Sequence, residues 1–84
     1  MLVKAQLVRK IGEIIRREGL TQTEAAKILG LTQPRLSELL RGKVRGVSER
    51  RLLECLTSLG RDVDIVVRRS PRRRASGRLT VVFS

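Results

Sequence analysis

Glycine follows a segment of regularly spaced apolar residues four times in the first 60 positions of the chain, at Gly19, Gly30, Gly42 and Gly60. Within each segment, apolar residues recur every three or four positions, which is the spacing of one face of an α-helix. Glycine readily takes the left-handed conformation that ends a helix. The pattern therefore predicts four short helices, and a chain of 84 residues fits one small domain with a tail.

The local sequence also predicts where these helices begin and end. The first spans residues 2–18, and the fourth spans residues 49–59 with Ser48 as its cap. Thr21 begins the second helix, because Glu24 three positions later completes a capping box. The residues predicted to face the core are Val3, Leu7, Val8, Ile11, Ile14, Ile15, Ala25, Ala26, Ile28, Leu29, Leu36, Leu39, Leu40, Leu52, Leu53, Leu56 and Leu59.

The third helix spans about residues 33–41, and its start has two interpretations. Proline is tolerated in a first helical turn, where its missing amide would have no partner. If Thr32 is the cap, its hydroxyl accepts from the amide of Arg35, because Pro34 has none. Gln33 is the alternative cap, because a residue before proline resists helical angles. Both versions leave Gln33 and Arg35 at an exposed tip.

The period of the pattern changes after the fourth helix. Val63, Ile65 and Val67 alternate along the chain as in a β-strand, and "LTVVFS" is a second strand candidate at the end. Two short strands are marginally stable alone. We therefore expect a hairpin that pairs or packs with a second subunit. The chain divides into a helical domain, 1–60, and a β extension, 61–84, for dimerisation or partner binding.

Positive charge is the strongest feature of the composition. Nineteen Lys and Arg against eight acids give a net charge of +11. This excess predicts a polyanionic partner, with nucleic acid the first candidate and an anionic membrane surface the second. Phe83 is the only aromatic residue, so the stacking platform of single-strand and RNA binders is missing. The composition therefore favours a duplex held by its phosphates.

The densest basic stretch is "RRSPRRRASGR", residues 68–78, which contains six arginines and no acid. Three interpretations remain open for this Arg-rich loop. It is a solvated loop, a second contact with DNA, or a binding site for an acidic protein partner.

Composition also argues against catalysis, metals and membranes. The chain has no histidine and one cysteine, so a histidine zinc site, a Ser–His pair and a disulfide within the chain are excluded. Cys55 lies among leucines and is predicted to be buried and inert. Asp62 and Asp64 alone make a poor metal site. We expect no enzyme activity, cofactor or metal. No apolar run approaches the roughly 20 residues of a membrane span, so we expect a cytoplasmic protein.

The stretch "LTQTEAAKILGLTQPRLSELLRG", residues 20–42, has the form of a helix-turn-helix. Ala26 lets two helices cross closely, and Gly30 supplies the corner. The stretch resembles the Xre/Cro family of lambda-repressor-like DNA-binding domains, and within it the small HigA-like antitoxins and regulators. The resemblance implies a mainly α bundle of four to five helices, followed by a small C-terminal β-strand or hairpin element.

The resemblance also implies which residues contact DNA. Gln22 matches a position that grips a phosphate, and helix 33–41 matches the recognition helix. The family often has glutamine where this chain has Pro34, so one amide-to-base contact is absent. Basic residues after the helix are candidate phosphate contacts, or simply a solvated loop. The predicted DNA-binding residues are Gln22, Thr32, Gln33, Arg35, Ser37, Glu38, Arg41, Lys43 and Arg45.

These observations predict a homodimeric, sequence-specific regulator that binds double-stranded DNA and acts as a repressor. The main alternative is an antitoxin that acts chiefly by binding a RelE- or HigB-like toxin, with autoregulatory DNA binding. A third hypothesis is non-specific nucleoid or RNA binding driven by charge alone.

Overall fold

Four helices form the body of the protein in the computed structural model, which describes residues 2–69 and 79–83. They are α1, Leu2–Arg17; α2, Gln22–Leu29; α3, Gln33–Leu40; and α4, Glu49–Ser58. The predicted mainly α architecture is confirmed, and each helix lies within one residue of its predicted ends. No helix in the described part of the chain is long and apolar enough to cross a membrane.

A capping box begins α2, as the sequence predicts. The backbone N–H of Thr21 donates to the Glu24 carboxylate at 2.9 Å, and the N–H of Glu24 donates to the Thr21 hydroxyl at 3.1 Å. Together the two bonds satisfy two amides that have no partner inside the helix. The bonds from the Thr21 backbone and side chain hold the pKa of Glu24 below its usual value, because they favour the ionised carboxylate.

Side-chain caps also begin α3 and α4. The Thr32 hydroxyl accepts from the backbone N–H of Arg35 at 3.2 Å, which identifies Thr32 as the cap rather than Gln33. Pro34 therefore lies in the first turn, where its missing amide costs no helical hydrogen bond. At α4 the predicted cap is confirmed, since the Ser48 hydroxyl accepts from the N–H of Arg51 at 3.0 Å.

One apolar core lies between the helices. α1 packs against α3 and α4, and α2 packs against the same two helices. Ile28 is the main error in the predicted core, since it is 45 % exposed on the outer side of α2. Leu40 and Leu53 pack against the core but are only half-buried. The buried core residues are Val3, Leu7, Val8, Ile11, Ile14, Ile15, Ala25, Ala26, Leu29, Leu36, Leu39, Leu52, Cys55, Leu56 and Leu59.

A tight corner at Gly30 joins α2 to α3. Gly30 has φ 69° and ψ 31°, the left-handed conformation that L side chains rarely adopt. The next residue, Leu31, donates its N–H to the carbonyl of Ala26 at 2.9 Å, so the last turn of α2 is closed before the chain turns. Ala25 and Ala26 are both buried, and their small side chains allow the close approach of neighbouring helices. The predicted corner geometry is confirmed.

The predicted C-terminal hairpin is not present as strands. No strand occurs in the described part of the 61–84 extension, and residues 70–78 of the Arg-rich loop lie outside the described residues. Ile65 and Val67 are 79 % and 93 % exposed, so this stretch buries little apolar surface within one chain. Val63 and Val81 do pack against the core. A β-strand requires a neighbouring strand for its backbone hydrogen bonds. The alternation of apolar residues in the sequence does not show whether the same chain contains that neighbouring strand.

Leu36 tests whether the core determines the position of α3. Leu36→Ala should lower the free energy of unfolding by about 2–5 kcal/mol, because it leaves a cavity at a fully buried site. Ile28→Ala is the matched control on the neighbouring helix and should cost much less, since Ile28 is 45 % exposed. Chemical unfolding followed by helical circular dichroism measures both. Similar losses for the two variants would contradict the described packing.

Candidate nucleic-acid interface

Two glutamines join the N-terminal ends of α2 and α3 at the surface. The Gln33 side-chain amide donates to the side-chain carbonyl of Gln22 at 2.7 Å, and both residues are exposed. Each glutamine keeps unused donor and acceptor positions that point to solvent. Gln22 and Gln33, 11 positions apart in sequence, therefore form one polar tip.

Arg35 lies beside this tip, half-buried in the first turn of α3. Its guanidinium donates to the backbone carbonyl of Arg45 at 3.3 Å and lies 3.7 Å from the Glu38 carboxylate. Both distances are longer than those of strong charge-assisted bonds, about 2.7–2.9 Å. The Arg35 side chain is therefore loosely held and keeps donors that can engage another partner.

The remaining predicted residues of α3 differ in exposure. Thr32 is exposed but uses its hydroxyl to cap the helix. Ser37 and Glu38 are half-buried, and Glu38 faces Arg35 at 3.7 Å. Glu38 therefore partly neutralises Arg35, which reduces the repulsion a carboxylate would feel from an approaching polyanion.

A basic loop leads from α3 to α4. Arg41 is the cap that follows the last residue of α3, and Gly42 turns the chain with φ 96°. The backbone N–H of Lys43 donates to the carbonyl of Glu38 at 3.0 Å, which holds the loop against the end of the helix. Arg41, Lys43 and Arg45 are all exposed. The structure thus brings these three cations onto one loop anchored to α3.

Five of the eight acidic residues form ion pairs or a helix cap, and none of these five pairs with the basic loop. Glu13 pairs with Lys10 at 3.7 Å, Glu18 with Arg61 at 3.6 Å, and Glu54 with Arg50 at 3.7 Å. Glu24 caps α2, and Glu38 faces Arg35. Within residues 2–69 and 79–83, none of the three loop cations forms an ion pair. The loop and tip therefore present net positive charge to an incoming phosphate backbone.

Arg51 on α4 is a structural residue that the sequence analysis missed. Its guanidinium donates to the carbonyl of Leu29 at 2.7 Å, in a partly buried position. The same guanidinium lies close to Gly30, where an added Cβ would sit 3.5 Å from it. Arg51 therefore joins α4 to the corner between α2 and α3. No local sequence signal could have identified a partner 22 positions away.

Cys55, on the inner face of α4, is buried in the core, as predicted. Its exposure is 1 %, and burial raises the pKa of its thiol, although the nearby Arg51 charge opposes the shift. The thiol therefore stays protonated near neutral pH, which disfavours nucleophilic chemistry. Among the described residues, no group of three acidic or cysteine side chains could hold a metal ion.

Two short helices joined by a tight corner, with polar residues at both exposed tips, define a helix-turn-helix protein. A family model described as "Helix-turn-helix domain" matches residues 1–68. A solved structure described as "Putative XRE Family Transcriptional Regulator" is 40% identical in sequence, with a TM-score of 0.93. The match covers 99% of this chain and 93% of that chain. No curated protein matches the chain.

The chain therefore belongs to the XRE-like helix-turn-helix family, whose members are DNA-binding transcriptional regulators and not enzymes. The family assignment agrees with the resemblance seen in residues 20–42. In this chain, α2 and α3 are the two helices of the helix-turn-helix.

Arg51 provides a test of how the motif is held together. Arg51→Ala should lower the free energy of unfolding by about 1.5–3 kcal/mol, because it removes a charged hydrogen bond to the Leu29 carbonyl. Arg50→Ala is the matched control, since Arg50 is 90% exposed and pairs with the same Glu54. Arg50→Ala should lower the free energy of unfolding by less than about 1 kcal/mol, because it breaks only an exposed ion pair. Equal effects in chemical unfolding would show that the Leu29 contact adds nothing.

Proposed function

We propose that this chain is a sequence-specific transcriptional repressor that binds double-stranded DNA as a homodimer in the cytoplasm. α3 and the residue that follows it, 33–41, act as the recognition helix in the major groove. The observation that carries this proposal is the polar tip, where exposed Gln33 is hydrogen-bonded to Gln22 at 2.7 Å. Repression requires only that a bound protein occupies a promoter, which a chain of 84 residues can do.

Gln33 and Arg35, which have suitable donors at the tip, recognise the bases. A glutamine amide can pair with the donor and acceptor of adenine, and an arginine fork can pair with the two acceptors of guanine. Gln33 is exposed, with Gln22 holding its amide in place. Arg35 can exchange its 3.3 Å bond to the Arg45 carbonyl for a base edge at little cost. Glu38 is placed to brace Arg35 or to accept from a cytosine amino group.

Polar and basic groups around the tip bind the DNA phosphates. Such contacts fix the register of a protein on the duplex without reading its sequence. The basic loop after α3 is tied to the helix through the Lys43 N–H, so it follows α3 into position. The proposed phosphate contacts are Gln22, Thr32, Ser37, Arg41, Lys43 and Arg45.

The C-terminal extension supports the homodimer. Within the described part, six of the seven large exposed apolar residues lie in this extension, including Ile65, Val67 and Val82. Such a surface is costly in water and typical of a protein contact. A recognition helix of eight residues reads few base pairs, and helix-turn-helix proteins commonly bind two half-sites as dimers. We therefore assign residues 61–84 to dimerisation.

The same exposed surface favours a second candidate function. A RelE- or HigB-like toxin could cover the apolar residues of the extension instead of a second copy. The chain would then act mainly as an antitoxin, with DNA binding as autoregulation. A toxin partner would form a mixed complex, whereas the homodimer forms from this chain alone.

Arg35 tests the proposed base contact. Arg35→Ala should weaken binding to an operator selected from random duplexes by about 1–3 kcal/mol, with little change on random DNA, if the guanidinium reads a base. Arg45→Ala is the control, because a phosphate contact should weaken binding to both duplexes alike. Fluorescence anisotropy measures both affinities. Equal losses on both duplexes for Arg35→Ala would make it a phosphate contact and refute its reading role.

Ile65 and Val67 test the dimer. Replacing both with serine should shift the protein from dimer to monomer in sedimentation experiments, because the change removes apolar surface from the contact. The fold should be unaffected, since both side chains are more than three-quarters exposed in one chain. Because the variant no longer dimerises, its affinity for the operator should also fall. A wild-type chain that is monomeric at micromolar concentration would contradict this assignment.

A further inference from the structure

A second surface feature lies beside the helix-turn-helix, between α1 and the C-terminal end of α3. It is an open groove with a volume of about 670 Å³. Apolar residues such as Val8, Ile15 and Leu40 line it. Three arginines, all exposed, also line it: Arg9, Arg16 and Arg41. The groove therefore combines apolar walls, which arginine stems can cover, with guanidinium groups that remain in water.

No acidic residue lines this groove. Glu13, the nearest acid along α1, pairs with Lys10 at 3.7 Å, and Glu38 on α3 faces Arg35. Within the part of the chain that the structure describes, Arg9 and Arg16 make no ion pair. Their charge is therefore uncompensated and available to an anion.

The spacing on α1 places both arginines along one line. Arg9 and Arg16 are seven positions apart, which is about two helical turns or roughly 10 Å on one face of a helix. Gly12 lies between them, and an added Cβ there would sit 3.8 Å from Arg16 Nη1 and 3.5 Å from Leu40 Cδ2. The Arg16 guanidinium thus lies over Gly12, toward α3 rather than away from the protein.

The groove is continuous with the proposed DNA-binding surface. Gln22, which holds Gln33 at the tip, lines the groove, and so does Arg41 of the basic loop. A duplex engaged by the tip of α3 therefore passes its phosphate backbone close to this groove. Arginine forks bind phosphate oxygens in pairs, which suits an uncompensated row of guanidinium groups.

We propose that Arg9 and Arg16 bind backbone phosphates of the DNA that flanks the recognition helix. α1 then extends the DNA-binding surface beyond the helix-turn-helix and adds affinity that does not depend on sequence. This inference rests on the proposed DNA-binding function, and it names residues outside the motif that take part.

The test compares variants that remove charge but keep length. Arg9→Gln and Arg16→Gln, singly and combined, are titrated with a random duplex and a selected operator of about four helical turns, roughly 40 base pairs. The log–log salt slope should fall by about 0.9 for each lost phosphate contact. Affinity should fall by the same factor on both duplexes. Arg17→Gln is the matched control, because Arg17 is exposed on the same helix and does not line the groove.

Each outcome decides the inference. A lower slope in the groove variants alone supports it, with circular dichroism showing that the fold is intact. An unchanged slope in the double variant overturns it, and so does an equal fall in Arg17→Gln. Unchanged DNA binding together with lost binding of a synthetic acidic, apolar peptide would assign the groove to a protein partner and also overturn it. A wild-type chain with no preference for any selected operator would instead refute the proposed sequence-specific function, while the slopes would still test the groove.

Discussion

The proposed recognition surface depends on the burial of Leu36 and Leu39 beneath α3. α3 has eight residues, too few to form a stable helix alone, so its position must come from packing. Leu36 and Leu39 are 0% and 2% exposed, which places the opposite face of the helix outward. The Gly30 corner sets the angle between α2 and α3, and Arg51 ties that corner to α4. The core therefore presents the tip of α3 without help from a ligand.

The distribution of charge follows from this packing and gives the surface its chemistry. Most glutamates cap a helix or form an ion pair with another residue, so they do not neutralise the cations of the basic loop after α3. Arg41, Lys43 and Arg45 follow α3 because the loop is bonded to the end of that helix. A duplex approaching the tip thus meets polar groups that can read bases at the centre and positive charge around them.

Local signals in the sequence predicted much of the fold, and contacts between distant residues could not be predicted. Thr21, Glu24 and Gly30 act through neighbours in the chain, so their roles could be inferred from spacing. The Gln22–Gln33 bond and the Arg51–Leu29 bond depend on how helices cross, which no spacing reveals. Periodicity placed Ile28 in the core, although α2 leaves it 45% exposed. Alternation at residues 63–67 indicated strands, but a strand needs a hydrogen-bonding neighbour, and the described residues of one chain form no such pair.

Protection of DNA from methylation by dimethyl sulfate is the most direct test of the central claim that α3 enters the major groove. Guanine N7 lies in the major groove and adenine N3 lies in the minor groove, so the reagent reports on both. The proposed homodimer predicts protection of guanine N7 within two half-sites about one helical turn apart, with adenine N3 still reactive there. Protection of adenine N3 alone, or no protection at a bound operator, would contradict a recognition role for α3.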